Sequence, residues 1–144
     1  MEKYECLKLE NQLCFSLYAL SREIIRLYKP FLDKYNLTYT QYLTLLVLWE
    51  NENMNVKEIG KELHLDSGTL TPVIKKLEAM NLISKKRASS DDRVVIVELT
   101  EKGHHLKDEI KDIPHLISGE LGMTSEEKSR LKDPVEKLLG RLIK

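Results

Sequence analysis

The chain of 144 residues has little cysteine, little proline and no long apolar run. Its two cysteines are too few for a disulfide scaffold. Its longest apolar stretch, residues 42–49, is far shorter than the ~20 residues of a membrane-spanning helix. The first ten residues carry charges throughout and lack the apolar centre of a signal peptide. We therefore expect a cytoplasmic protein with reduced cysteines and no membrane partner.

The sequence also lacks an excess of charge and the motifs of a catalytic or metal site. Its 23 Lys and Arg balance 23 Asp and Glu, so any surface that binds an anion must be local. Only His104 and His105 lie close together in the sequence, and neighbours on a helix point about 100° apart, which makes a poor chelating pair. Glycine-rich phosphate loops, nucleophilic serine motifs and paired carboxylates are absent. We predict no cofactor, no metal and no catalytic residues; a thiol peroxidase using Cys14 is the one enzymatic alternative.

The spacing of apolar residues predicts a mainly α-helical chain with one small β-hairpin. Two short helices are joined by a tight link and followed by the hairpin, which is the element order of a winged helix-turn-helix. Asn55 and Glu58 form a capping box for the first of these helices. The predicted elements are helices over residues 7–35, 39–50, 56–63 and 67–80, a hairpin with its tip at residues 89–93, and helices capped by Thr100 and Thr124, with Pro114 interrupting the first of that pair.

Positive charge concentrates on the fourth helix and the hairpin. Residues 69–90 hold five Lys and Arg against a single acidic residue, Glu78. Small hydroxyl side chains lie at the start of this helix, where a recognition helix meets the edges of the bases. A basic run alone is more often a solvated face, but the surrounding helix-turn-helix and hairpin favour DNA binding. The predicted DNA-binding residues on this evidence are Ser67, Thr69, Thr71, Lys75, Lys76 and Arg87.

Residues 66–103 resemble the recognition helix and wing of the MarR family of transcriptional regulators. Asp91, Arg93, Leu99 and Thr100 match the wing motif of that family, and the resemblance extends along essentially the whole chain. It implies a winged helix-turn-helix homodimer on a palindromic double-stranded DNA operator. It also implies that Arg93, at the wing tip, reaches the minor groove, where an arginine reads groove shape.

The resemblance further implies how the chain is organised. One structural domain would comprise an N-terminal dimerisation helix (1–35), a winged helix-turn-helix region that binds DNA (36–103) and C-terminal dimerisation helices (104–144). The recognition helix would be capped by Ser67, although Pro72 taken alone would predict a helix that begins at residue 72.

Cys14 lies on the apolar face of the first helix, and Tyr18 follows one turn later on the same face. A cysteine in such a place is more often a small core residue than a reactive group. Phenolic hydroxyls, however, can donate hydrogen bonds to a thiolate, which is the form that attacks peroxides. Residues 9–49 resemble the OhrR branch of the family, the repressors that sense organic hydroperoxides. This resemblance implies that Cys14 is the redox sensor, supported by Tyr18 and by Tyr28 and Tyr39 from the partner subunit.

The implied chemistry is oxidation of the thiolate to a sulfenic acid, then a mixed disulfide with a low-molecular-weight thiol or overoxidation. Cys6 is eight residues from Cys14, about 12 Å along a continuous helix and beyond the reach of a disulfide. Fraying of the first turns leaves a bridge open, and Cys6 is assigned no role. Three alternatives remain open. The chain could be a MarR-type repressor released by a small aromatic ligand, with Cys14 structural; a redox-responsive global regulator; or a winged-helix module for protein interaction.

Overall fold

The structure, a computed structural model, describes residues 2–143 and divides into two compact units, one ending at Tyr39 and the other beginning at Thr40. The boundaries predicted at residues 35/36 and 103/104 stay predictions. No helix among the described residues has the length and apolar content needed to span a membrane. The elements in chain order are α1 (Leu13–Asp33), α2 (Tyr39–Glu50), β1 (Met54–Asn55), α3 (Val56–Leu63), α4 (Ser67–Ala79), β2 (Ile83–Ala88), β3 (Asp91–Leu99), α5 (Glu101–Ile110), α6 (Ile113–Leu121) and α7 (Ser125–Leu142).

The N-terminal unit begins with two short 3₁₀ helices, Glu5–Leu7 and Leu9–Asn11, before α1 starts. The prediction of one helix from residue 7 is therefore wrong for its first turns. Lys8 and Gln12 adopt extended backbone conformations, which interrupt the helical course twice. The side chain of Gln12 does not cap α1; it bonds instead to carbonyls earlier in the chain. Pro30 lies in the last turns of α1, as predicted.

The helix-turn-helix of the second unit is formed by α3 and α4. The capping box of Asn55 and Glu58 at the start of α3 is confirmed. His64 takes a left-handed conformation that ends α3, and a Cβ at Gly60 would lie 2.6 Å from the carbonyl oxygen of Leu65, so the tight link requires glycine there. The core of this unit is lined by residues from α2, α3, α4, β2, β3 and α5: Leu45, Leu48, Ile59, Leu70, Ile74, Leu77, Ile83, Val97 and Ile110.

The start of α4 corrects one prediction. Asp66, not Ser67, is the N-cap, because its carboxylate accepts a hydrogen bond of 2.7 Å from the backbone N–H of Thr69. Ser67 is the first helical residue, and Pro72 lies inside the helix without ending it. Pro72 has no N–H to donate to the carbonyl of Gly68, so the helix continues through it with one intrahelical bond fewer.

The wing is a three-stranded antiparallel sheet in the order β1-β3-β2. Strand β1, where Met54 pairs with Val97, was not predicted, because two residues are too short to show a period. The hairpin tip is Ser89 and Ser90 alone, so the predicted five-residue tip is wrong. Arg93 consequently lies in β3, three residues beyond the turn, and not at the tip itself.

The C-terminal helices begin where the sequence predicts. Thr100 caps α5 through the N–H of Gly103, and Thr124 forms a capping box with Glu127 at the start of α7. Pro114 lies in the first turn of α6. None of the residues of α7 is buried, although the helix carries a stripe of large apolar side chains.

Candidate nucleic-acid interface and thiol site

The outer face of α4 presents the predicted contact residues to solvent. Leu70, Ile74 and Leu77 bury the opposite face, so the helix can expose only what lies between them. The hydroxyl of Thr71 donates a hydrogen bond of 2.6 Å to the carbonyl oxygen of Ser67 and keeps its lone pairs free to accept. The predicted residues that are exposed on α4 are Ser67, Thr69, Thr71, Lys75 and Lys76.

The N-terminus of α4 is held by a carboxylate that stays ionised. Hydrogen bonds from the backbone and the side chain of Thr69, and then from the backbone of Gly68, hold the pKa of Asp66 below its usual value. Negative charge at a helix N-terminus is also favoured by the helix dipole. The cap thus fixes the point at which the exposed hydroxyls begin.

Arg93 on β3 is highly exposed and is oriented by Asp91. Its Nε lies 3.2 Å from Oδ1 of Asp91 and its Nη2 lies 3.3 Å from Oδ2, while the backbone N–H of Arg93 donates to Oδ1 at 3.0 Å. The hydrogen bonds from the side chain of Arg93, and to a smaller extent the one from its backbone, lower the pKa of Asp91. Arg87 on the neighbouring strand donates a hydrogen bond of 2.5 Å to the carbonyl oxygen of Asp92. The two acidic residues next to Arg93 thus have different roles. The carboxylate of Asp91 orients the guanidinium of Arg93, and the backbone carbonyl of Asp92 binds Arg87.

A groove of about 410 Å³ between α3, α4 and β3 brings the predicted Ser67, Thr71 and Arg93 together. Lys57 and Lys85, which the sequence did not single out, line the same groove. Lys85 pairs with Glu78 at 3.2 Å, so its charge is partly neutralised. A signal for Lys57 existed: it lies in the first turn of the helix before the recognition helix, and in a helix-turn-helix that first helix crosses the DNA backbone.

The predicted sensor, Cys14, is an exposed free thiol in the first turn of α1. Tyr18 is 59% exposed one turn later, with the guanidinium of Arg22 at 4.7 Å from the centre of its ring. Leu13 and Phe15 beside Cys14 are exposed as well. The thiol thus lies on an uncovered apolar face and does not fill a core within this chain.

Tyr28 and Tyr39 meet each other, with ring centres 4.8 Å apart and planes inclined by 53°. Burial raises the pKa of both, and for Tyr28 the neighbouring Tyr39 adds to the rise, so both hydroxyls stay protonated donors at neutral pH. Tyr28 is fourteen residues beyond Cys14, about 21 Å along a helix. The structure therefore brings two of the predicted thiolate-supporting residues together and leaves Cys14 and Tyr18 at the other end of α1.

Large apolar side chains are exposed along α1, beyond the region of Cys14, and along α7. On α7 they recur at steps of three and four residues, which places them on one face. Patches of this kind mark surfaces that contact another molecule. The exposed members on α1 and α7 are Leu13, Phe15, Tyr18, Leu20, Ile25, Leu131, Val135, Leu138, Leu139 and Leu142.

A two-helix motif, followed by a hairpin that completes a three-stranded sheet and with a basic groove beside it, defines a winged helix-turn-helix protein that binds DNA. The family model for the transcriptional regulators SarA/Rot matches residues 26–110. The chain belongs to this family of MarR-like winged-helix transcriptional regulators, which confirms the predicted resemblance and fold class.

Two relatives make the match more specific. The organic hydroperoxide resistance transcriptional regulator of Bacillus subtilis strain 168 is 51% identical over 140 residues, covering 97% of this chain and 95% of that protein. The structure of reduced AbfR bound to DNA has a TM-score of 0.81 at 36% identity and covers 99% of this chain and all of that one. Disulfide-formed AbfR has a TM-score of 0.67 at 38% identity, covering 98% and 96%; AbfR has been solved from Staphylococcus epidermidis. The predicted similarity to the organic hydroperoxide branch is thereby confirmed.

Proposed function

We propose that the chain is a homodimeric repressor that binds a palindromic operator in the cytoplasm and releases it when an organic hydroperoxide oxidises Cys14. The observation that carries the proposal is the exposed free thiol of Cys14 on an apolar helix face. An apolar setting favours an organic hydroperoxide over hydrogen peroxide, because the organic group gains contact with uncovered side chains such as Leu13 and Phe15.

The DNA part of the proposal rests on the groove between α3, α4 and β3. The hydroxyls of Ser67, Thr69 and Thr71 would face base edges in the major groove, and Lys75 and Lys76 would meet phosphates. Arg93 and Arg87 on the wing would reach the adjacent minor groove, whose negative potential attracts arginine. Lys57 adds a phosphate contact from α3.

The dimer part of the proposal rests on the uncovered apolar faces of α1 and α7. In a dimer, Tyr28 and Tyr39 of one subunit can supply their protonated hydroxyls to a thiolate on the other subunit, which the separation along α1 forbids within one chain. Tyr18, four residues from Cys14 and stacked by Arg22, supports the thiolate from the same helix.

Release of DNA follows from where the oxidation takes place. A two-fold dimer reads half-sites about 34–36 Å apart, so the distance between its two recognition helices must be kept. A sulfenic acid, or a disulfide formed from it, adds bulk and polarity at the dimer contact. A small change in that contact alters the spacing of the two recognition helices, and the operator is no longer matched.

A second candidate function has one observation in its favour. An apolar pocket of about 370 Å³ between α2, α5 and α6 is lined by Trp49 and Ile110 together with Lys107, Lys111 and one carboxylate, that of Glu50. Apolar walls with nearby ammonium groups suit a small aromatic carboxylate. A ligand in this pocket would release DNA without oxidation, and Cys14 would then be structural.

Electrophoretic mobility of a palindromic operator fragment tests the proposal. We expect wild-type protein to shift the fragment, stoichiometric cumene hydroperoxide to abolish the shift, and Cys14→Ser to shift it with and without peroxide. Release of DNA from Cys14→Ser by peroxide would falsify the sensor assignment. A shift in the wild type that resists peroxide but yields to an aromatic carboxylate favours the second candidate.

A further inference from the structure

We infer that Cys6 is the resolving thiol of Cys14, and that the two close an intrachain disulfide after Cys14 is oxidised. The inference rests on the proposed function, since hydroperoxide must first oxidise Cys14. Both thiols are free and exposed in the same N-terminal unit.

The structure removes the distance that a continuous helix would impose between the two residues. Cys6 belongs to the 3₁₀ helix Glu5–Leu7, while α1 begins only at Leu13, and the extended residues Lys8 and Gln12 lie between them. The rise of about 12 Å for eight residues applies to an unbroken helix alone. These breaks allow the chain before α1 to turn back.

Side chains show that the segment does turn back. Nδ2 of Asn11 donates to the carbonyl oxygen of Glu5, and Nε2 of Gln12 donates to the carbonyl oxygen of Cys6, each at 2.8 Å. Nε2 of Gln12 also donates to the carbonyl oxygen of Lys8 at 2.8 Å. Partners six residues apart would be separated by about 9 Å along an α-helix. The carbonyl of Cys6 is thus one hydrogen bond away from a side chain that begins two residues before Cys14.

The last step of the pairing is to bring the two Cα atoms within disulfide distance. A disulfide requires Cα atoms about 4.4–6.8 Å apart. The bonds that hold the segment are exposed side-chain bonds, which water can replace as the chain moves. The side chain of Gln12 makes no capping bond to α1, and the residue is joined to that helix by the bond of 3.4 Å that its carbonyl accepts from the N–H of Ser16.

The reaction balances with the hydroperoxide as the only oxidant. The Cys14 thiolate attacks the outer peroxide oxygen, the O–O bond breaks, and the alkoxide leaves and takes up a proton, giving a sulfenic acid and an alcohol. The Cys6 sulfur then attacks the Cys14 sulfur, an S–S bond forms, the S–O bond breaks, and the hydroxyl leaves as water with the thiol proton. Cys6 therefore competes with an external thiol and with overoxidation.

Peptide mapping by mass spectrometry tests the pairing. Trypsin cuts after Lys3, Lys8 and Arg22, so Cys6 and Cys14 fall on separate peptides, residues 4–8 and 9–22, that only a disulfide can join. Full-length protein is treated with cumene hydroperoxide without small thiols, alkylated and digested; a parallel sample is equilibrated with oxidised glutathione. We expect the linked peptide in both samples and a single-chain mass on a non-reducing gel. In Cys6→Ser, the link is lost and Cys14 accumulates as sulfinic or sulfonic acid.

The outcomes separate this inference from the proposed function. If Cys14 is oxidised but no link forms, and overoxidation equals that of Cys6→Ser, the inference fails and the sensor assignment stands. If the linked peptide forms but the undigested protein runs at twice the chain mass on the non-reducing gel, the disulfide joins two chains and the intrachain pairing is overturned. If hydroperoxide leaves Cys14 reduced while glutathione produces the link, the pairing stands and the proposed function fails.

Discussion

At the scale of single residues, a charge is often less informative than the group that orients it. Arg93 is one of 23 Lys and Arg in the chain, but Asp91 holds its guanidinium through two side-chain contacts. A guanidinium held in this way loses less side-chain entropy when it meets DNA than a free one.

Replacing Arg93 by alanine should therefore weaken operator binding by roughly 1–3 kcal/mol while the dimer stays intact. The physical reason is the loss of one arginine from the minor groove, which should also reduce the dependence of binding on salt. Fluorescence anisotropy with a labelled operator at several salt concentrations measures both effects. Arg130→Ala is the matched control, because Arg130 is also exposed and paired with one carboxylate, but lies on α7. Equal affinities for the two variants would refute the wing assignment.

The pKa values of Tyr28 and Tyr39 also depend on the groups around them. Burial, and in Tyr28 the neighbouring Tyr39, raises the pKa of both phenols. A raised pKa favours the neutral hydroxyl, so each remains a donor at neutral pH. A thiolate needs donors and not acceptors, and in the proposed dimer these half-buried tyrosines would supply them.

At the scale of elements, the recognition helix is tied at its C-terminal end to the start of α5. The hydroxyl of Thr100 donates to the carbonyl oxygen of Asn81 at 2.7 Å, and Nζ of Lys102 donates to that of Met80 at 2.9 Å. A cation at this end of a helix also complements its dipole. The end of α4 and the start of α5 are therefore joined by side-chain hydrogen bonds.

This junction predicts a large loss of stability for Gly103→Ala. A Cβ at Gly103 would lie 2.2 Å from the backbone oxygen of Leu82. The carbonyl of Gly103 also accepts a hydrogen bond from the indole N–H of Trp49, so the backbone at residue 103 cannot easily move away from Leu82. We expect a loss of about 1–3 kcal/mol in the free energy of unfolding, typical of overpacking. Urea denaturation measures it. Gly119→Ala in α6 is the matched control: nothing lies within 4 Å of its added Cβ, and it should gain roughly 0.5–1 kcal/mol. Unchanged stability in Gly103→Ala would show that the junction is loose.

Elements fixed by local chemistry were predictable from the sequence, and those fixed by distant partners were not. The caps at Asn55, Thr100 and Thr124 all follow from residues three positions apart. Strand β1 exists because Met54 meets Val97, a pairing that no local pattern records. The late start of α1 has a similar cause, since the side chains of Asn11 and Gln12 bond to carbonyls six residues away.

At the scale of the whole molecule, the DNA-binding groove and the thiol site differ in how many of their proposed residues lie together within one chain. The α3–α4–β3 groove is formed within one chain, and three of its six polar or charged lining residues, Ser67, Thr71 and Arg93, were predicted. The thiol site is not: Cys14 and Tyr18 lie at one end of α1, and the Tyr28–Tyr39 pair belongs to the other. Sequence patterns could supply its proposed members, and in the proposed dimer the second chain would bring them together.

The apolar stripe on α7 predicts the surface that the second chain covers. Leu138 lies near the middle of the stripe, so Leu138→Glu should place a carboxylate in the dimer contact, where its desolvation is unfavourable. Ser129→Glu adds the same charge on the opposite face of α7 and is the matched control. Sedimentation equilibrium should give about twice the chain mass of 16.8 kDa for the wild type and Ser129→Glu, and a mass falling toward one chain for Leu138→Glu. Because operator half-sites require two linked recognition helices, Leu138→Glu should lose operator binding with its dimer. A wild-type protein that sediments as a single chain would remove the second subunit, and with it Tyr28 and Tyr39 as donors to Cys14.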